Sequence, residues 1–323
     1  MTELASAFPL FTLATITYNS GKWVKQAIES VLASSFIDFE YLISDDCSTD
    51  DTWKIIETYK DERIKAWRNE NNIGEYPNRQ KVLNEAKGKY IFYIDGDDVL
   101  YKDTLQTLQN YITFFPNAGM IWGIPTREID FAILPYEFTP EQVIKLIYLT
   151  RLPLFSVIGF AETVFNTKLL KLIGGFHASH LIGDIYVKRK LALASNVVMI
   201  PEGLSYWRRS ENQASSRAHK NYRVFIDMHN INMEILLDKN LPLSEEIREI
   251  AQVNVKISEV KRLVENTLLK GRIRDFFMLC KRLGFSIADL KYLFKKGNYS
   301  YKPIHDISIP LQNEYNFKNT KPV

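Results

Sequence analysis

Twice in the first hundred residues an apolar, strand-like run stops on a cluster of carboxylates. Residues 39–44 (FEYLIS) end on Asp45 and Asp46, and residues 90–94 (YIFYI) end on Asp95, Gly96, Asp97 and Asp98. The pattern around them is equally regular. Residues 10–17 (LFTLATIT) predict a buried strand that stops at a YNSG turn. Residues 23–34 predict a helix, with Val24, Ala27, Ile28, Val31 and Leu32 at helical spacing. Residues 52–60 read as helix, 63–67 as a short strand, 69–78 as a polar loop, and 79–88 as a helix closing on Gly88. Strands alternating with helices imply βαβ units, hence an α/β fold with a mostly parallel central sheet flanked by helices. Ligands of such sheets bind outside the carboxyl ends of the strands. Both acidic clusters belong to that end, so neighbouring strands would bring them to one crevice.

The two clusters suit different tasks. Asp95 and Asp97, one residue apart, can share a hard divalent cation, Mg²⁺ or Mn²⁺, which takes oxygen ligands and bridges carboxylates to substrate phosphates. Gly96 between them would let backbone approach a ligand closely. The bland alternative is an exposed acidic turn, since Asp and Gly are ordinary turn residues. In the first cluster, Asp50 and Asp51 precede the predicted helix and suit its N-terminus, where negative charge is favoured. Only Asp45 and Asp46 are then left to face a ligand.

Beyond residue 101 the pattern predicts a helix over 102–115, a strand over 118–124, and a helix over 139–149 capped by Thr139. A strand over 156–165, a short helix ending at Gly174 and Gly175, and a strand–turn–strand over 196–210 follow. Helices then dominate, at 221–237, 244–267, 272–283 and 286–295. We therefore expect a domain over 1–217, a helical region over 218–298 and an extended tail over 299–323. The net charge of +3 is unevenly spread, because residues 253–296 hold eleven Lys/Arg against four Asp/Glu, a net of +7. These helices either pack as a bundle with a solvated basic face or rest on an anionic membrane surface. A nucleic-acid partner would leave the acidic strand ends without a role, so none is expected. Two cysteines imply no disulfide framework and suit a reducing, cytoplasmic compartment. The start lacks the basic region of a signal peptide. The apolar stretch 146–160 is too short to span a bilayer and contains Arg151 and Pro153.

Three stretches together resemble the inverting family 2 glycosyltransferases: LATITYNSGKWVKQAIESVLASSFIDFEYLISDDCSTDDT, RNENNIGEYPNRQKVLNEAKGKYIFYIDGDDVLYKDTL, and GGFHASHLIGDIYVKRKLALASNVVMIPEGLSYWRRSENQAS. The resemblance covers about residues 10–216 and implies the nucleotide-sugar-binding GT-A fold. It also implies roles. Thr17 and Tyr18, with Asn19 beside them, match the segment that lies against the nucleobase, and Asp46 matches the residue that hydrogen-bonds the uracil edge. Arg79 matches a basic residue near the nucleotide. Asp95 and Asp97 match the D-x-D motif that handles ribose and metal, with Asp98 beside them sharing the metal role. Asp184 falls where the family places its catalytic base. Its alternative role is to cap the helix that follows. The implied reaction moves a sugar from a UDP-sugar to an acceptor hydroxyl, in assembly of a bacterial surface polysaccharide on a saccharide or lipid-linked saccharide. The implied setting is the cytoplasm, with peripheral contact at the inner face of the membrane.

Two departures stand out. The family commonly carries Glu-Asp where this chain has Gly183-Asp184. Many members have a metal-ligating His where this chain has Ser210, and His219 is the candidate to compensate. The losses leave open a catalytically inactive nucleotide-sugar-binding or scaffold protein of the same fold. Tyr206, Trp207 and Arg208 either line an acceptor or diphosphate site or pack a strand against the base. A zinc site at His177, His180 and Asp184 lacks the H-E-x-x-H general base and is not favoured.

Overall fold

The computed structural model describes residues 8–125, 128–129, 132–150, 159–208 and 222–299. Its elements run β1 (Phe11–Thr17), α1 (Val24–Leu32), β2 (Phe39–Asp45), α2 (Thr52–Ile56), β3 (Ile64–Arg68), α3 (Glu75–Glu85), β4 (Tyr90–Tyr93), β5 (Val99–Leu100), α4 (Thr104–Phe114) and β6 (Ala118–Gly123). Then come β7 (Glu128–Ile129), β8 (Ala132–Ile133), β9 (Tyr136–Phe138), α5 (Pro140–Leu149), β10 (Thr163–Asn166), α6 (Thr167–Leu172), α7 (Gly183–Ala194), β11 (Asn196–Ile200) and β12 (Ser205–Tyr206). Three helices close the described chain: α8 (Tyr222–Leu236), α9 (Glu245–Asn266) and α10 (Ile273–Leu283), followed by a 3₁₀ turn at Ile287–Phe294.

Eight strands form one sheet in the order β3-β2-β1-β4-β10-β6-β11-β9. The pairs β3–β2, β2–β1, β1–β4 and β6–β11 are parallel, whereas β10 and β9 run antiparallel to their neighbours. The expected mostly parallel α/β sheet is therefore present. Strand β1 is buried along its whole length, as a strand covered by helices on both faces must be. Its alternating side chains divide the protein into two cores. Phe11 and Leu13 join Val24, Ile28 and Val31 of α1 and Leu105 and Leu108 of α4. Ala14 and Ile16 face the other way, toward Val82 and Leu83 of α3 and Val187 and Leu191 of α7.

Differences from the sequence expectations are local. Helix α2 stops at Ile56, and Asp51 holds its N-cap position without a side-chain cap bond. Asp51 instead pairs with Lys54 at 2.8 Å, while Asp50 accepts from the Thr52 N–H at 3.0 Å. The loop expected over 69–78 ends at Gly74, because α3 already starts at Glu75. Pro77 misled that reading; in a first helical turn its missing N–H costs nothing. Helix α5 begins as expected, with Thr139 and Gln142 in a reciprocal capping box. The helical region is no separate bundle. Ile231, Ile235 and Leu236 of α8 and Ala251 and Val255 of α9 belong to the same core as α3 and α7. The expected boundary at 217 and His219 fall outside the described residues, as does the tail apart from Tyr299.

Candidate active site

The sheet register places Thr17 opposite Asp45, and Asp45 opposite Arg68, so the carboxyl ends of β1, β2 and β3 lie level. Asp95 follows β4 at the same end. Thr17, Tyr18, Asn19, Asp46, Arg79, Asp95, Asp97, Asp98, Asp184 and Trp207 line one cleft there. Residues separated by more than 160 positions are thus brought together by strand order alone.

Within the cleft the groups divide into those aimed at its interior and those spent on building it. Asp45 is fully buried; it accepts from the Ser48 N–H at 3.1 Å and lies 3.4 Å from Arg68 Nε. Burial raises its carboxyl above the usual range, against the lowering effect of those partners. Asp46 is equally committed. Its Oδ1 accepts from Asn69 Nδ2 at 2.8 Å and the Ile73 N–H at 2.9 Å, and its Oδ2 from the Gly74 N–H at 2.9 Å. These three donors fix the loop leading into α3 and leave Asp46 about one further acceptor site, on Oδ2. Asn19 has φ 53°, a left-handed conformation Asn tolerates, and ties the β1–α1 loop to the β2–α2 loop. Its N–H donates to Ser48 Oγ at 2.9 Å and its Oδ1 accepts from the Thr49 N–H at 2.8 Å. Tyr18 stands half exposed at the rim.

Arg79 is 2% exposed, and its Nη2 donates to Asp95 Oδ2 at 2.8 Å and Glu75 Oε1 at 3.0 Å. The guanidinium lies over the Phe160 ring at 4.4 Å. Arg79 thereby holds Asp95 in place through Nη2, while its Nη1 is without a hydrogen-bond partner among the described residues. Asp95 Oδ1 is buried and likewise has none among the described residues. Gly96 does approach something closely, but it is β1: a Cβ there would meet Thr17 Oγ1 at 2.7 Å. Asp98 is buried and accepts from the Arg208 N–H at 3.0 Å. Burial, then the charges of Asp95 and Asp97, push its carboxyl up to about 8. Arg208 is spent internally: Nε donates to the Asp97 carbonyl at 2.9 Å, Nη2 to Gln26 at 2.7 Å, and the guanidinium lies 3.9 Å over Trp23. With β12 paired to β5, these contacts join Arg208 to the acidic loop and to α1. Trp207 stays on the cleft wall.

Asp184 sits in the first turn of α7, but the N-cap position is Ile182, so Asp184 does not cap the helix. The loop before it is held from α8: Asp227 accepts from the Leu181 N–H at 2.7 Å, the Ile182 N–H at 3.3 Å and pairs with His180 Nδ1 at 2.8 Å. Asp184 Oδ1 accepts from the Tyr76 hydroxyl at 3.3 Å, and Oδ2 lies 3.8 Å from Nζ of buried Lys188. The family's extra carboxylate has no room here. A Cβ at Gly183 would meet the Tyr76 ring at 2.8 Å. Sequence reading missed Glu75, Tyr76, Lys188 and Asp227, although Gly74 as a helix start was the available signal for the first two.

The chemistry of the acidic loop fits a hard divalent cation. Asp95 offers a buried, unpartnered oxygen, and Asp97 faces the same cleft. Among the described residues no three His, Cys, Asp or Glu side chains form a complete metal cage. One or two carboxylates completed by water and substrate phosphate are what Mg²⁺ or Mn²⁺ prefers.

Residues 12–166 match the family model "Glycosyl transferase family 2". TuaG of Bacillus subtilis (strain 168), named as a teichuronic acid biosynthesis glycosyltransferase, is 39% identical over 100 residues, 30% of this chain and 40% of that protein. The Escherichia coli protein WfaP, named as a UDP-Glc:alpha-D-GlcNAc-diphosphoundecaprenol beta-1,3-glucosyltransferase, is 38% identical over 136 residues, 42% of this chain and 53% of it. The chain thus spans about half the length of these relatives or less. The crystal structure of Staphylococcus aureus TarS 1-349 in complex with UDP-GlcNAc superposes with a TM-score of 0.60 at 20% identity, over 87% of this chain and 89% of that one. That likeness extends the shared fold through the C-terminal helices. Residues 12–166 thus carry a glycosyltransferase family 2 domain, and the chain is built on the GT-A fold.

Proposed function

We propose that the protein is an inverting glycosyltransferase that moves a sugar from a UDP-sugar to an acceptor hydroxyl. The observation that carries this reading is the placement of Asp184 across one cleft from Asp95 and Asp97. The acceptor O–H loses its proton to Asp184 as its oxygen bonds the anomeric carbon, and the bond to the diphosphate breaks on the opposite face, inverting the centre. Tyr76 orients Asp184 through Oδ1, and Nζ of buried Lys188 lies 3.8 Å from its Oδ2. Thr17 and Tyr18 flank the base, and Asp46 shapes the loop that bounds it while reading the uracil edge. Asp95, Asp97 and, from behind, Asp98 would hold Mn²⁺ or Mg²⁺. The cation would stabilise charge on the departing diphosphate. Trp207 lines the acceptor side. The names of the relatives support a role in a bacterial surface polysaccharide, with a saccharide or lipid-linked saccharide as acceptor. We place the reaction in the cytoplasm, at the inner face of the membrane.

The test is UDP release from a panel of UDP-sugars with Mn²⁺, with and without candidate acceptors. Asp97→Ala should abolish metal-dependent turnover and weaken nucleotide binding. Asp184→Asn should bind donor and fail to transfer; transfer at the wild-type rate would remove Asp184 as the base. Failure to bind any UDP-sugar would sink the donor class, and binding without turnover would favour the inactive nucleotide-sugar-binding protein.

A further inference from the structure

Helix α10 has two apolar faces, and among the described residues only one is covered. Phe276, Leu279 and Leu283 pack against Ile226 of α8 and Leu263 of α9. On the other side Ile273, Phe277 and Met278 are 58%, 56% and 51% exposed, with Leu269 just ahead at 75%. Helical spacing puts Ile273, Arg274, Phe277, Met278 and Lys281 on a single stripe, with Lys270 just ahead of the helix. Arg272 and Arg282 flank it. The acid of this segment, Asp275, accepts from the Tyr222 hydroxyl at 3.0 Å and so lies toward α8, off the stripe. A solvated helix face has no use for three large apolar side chains, and a purely electrostatic one has none either.

We propose that this face docks on an anionic lipid bilayer. Ile273, Phe277 and Met278 enter the acyl boundary, while Lys270, Arg274 and Lys281 meet headgroup phosphates. Charge selects this occupant. A second copy of the chain would set cation against cation at every turn of the helix, and a polyanion without an apolar phase would leave the three apolar side chains in water. The position of the face gives it a purpose. Lys270 and Arg272 also line the cleft that holds Asp95 and Asp184. A lipid-anchored acceptor would thus enter the cleft from the bilayer. That second step rests on the glycosyltransferase reading; the docking itself does not.

The experiment is sedimentation of the full chain with phosphatidylcholine vesicles, with and without phosphatidylglycerol, alongside UDP-sugar turnover measured without vesicles. We expect the chain to pellet with the anionic vesicles and to bind the zwitterionic ones about tenfold more weakly. The double variant Ile273→Ser/Phe277→Ser should keep its melting temperature and vesicle-free turnover but lose about tenfold in binding. Arg274→Glu/Lys281→Glu should do the same and lose the preference for anionic lipid. A wild-type chain that stays in the supernatant, variants that bind as well as wild type, or a wild-type dimer that the Ser variant converts to monomer would each overturn the proposal. Docking without turnover would retain it and reject the transferase reading instead.

Discussion

At the scale of single residues, Tyr76 explains how the site works without a carboxylate at position 183. Its ring fills the space a side chain at Gly183 would need, and its hydroxyl donates to Asp184. Replacing Tyr76 by Phe keeps the ring and deletes one hydrogen bond to Asp184. We expect turnover to fall by about tenfold, with donor affinity unchanged, because the bond orients Asp184 and not the nucleotide. A fall in UDP-sugar affinity of equal size, read by calorimetry, would show that Tyr76 shapes the donor site instead. Restoring the family residue should do harm. Gly183→Glu drives a Cβ into the Tyr76 ring, and overpacking of this kind costs about 1–3 kcal/mol. Urea denaturation should show that loss, and adding Tyr76→Ala should recover part of it, since the clash needs both side chains.

At the scale of elements, the site depends on segments that tie one element's end to another. Asp227 of α8 holds the loop before α7, and Asp46 holds the loop before α3. Glu162 does the same for the segment before β12, accepting from the Leu204 N–H at 2.6 Å and the Ser205 N–H at 3.3 Å. Burial nevertheless pushes the Glu162 carboxyl up from 4.5 to about 7, outweighing the lowering effect of those two bonds. An acid whose folded pKa lies above its unfolded value binds its proton more tightly when folded. Its contribution is complete below pH 4.5 and is lost as the pH rises through about 7. The urea midpoint should decline across that window, and Glu162→Gln, which keeps an acceptor and cannot ionise, should flatten that part of the decline. An unchanged profile in the variant would assign the pH dependence to other groups. Such ties are invisible to periodicity. The two- and three-residue strands β5, β7, β8 and β9 were missed for the same reason, since an alternation of two needs more residues to declare itself.

At the scale of the whole molecule, the C-terminal helices pack into the main core. Ile231, Ile235 and Leu236 are fully buried with α7 and α5, and Asn254 of α9 donates to the Tyr148 carbonyl at 3.1 Å. A chain cut after residue 217 would expose that apolar surface. We expect such a truncation to lack a cooperative thermal transition by circular dichroism; a sharp melt near that of the full chain would restore the view of an independent domain. By itself the sequence determined the alternation of strands and helices, the mostly parallel sheet, the carboxyl-end location of the acids and the extents of the C-terminal helices. All of these follow from local periodicity and from the fixed polarity of βαβ units. The tertiary structure alone decided which partners each acid meets. Asp45, Asp46 and Asp98 look alike in sequence to Asp95 and Asp97, yet their backbone and side-chain partners come from positions 3 to 110 residues away. The same holds for Gly183, where the missing carboxylate is a matter of space taken by a ring from another helix. Hydrogen-bond satisfaction and steric exclusion are set by what folding brings alongside, and no local pattern encodes them.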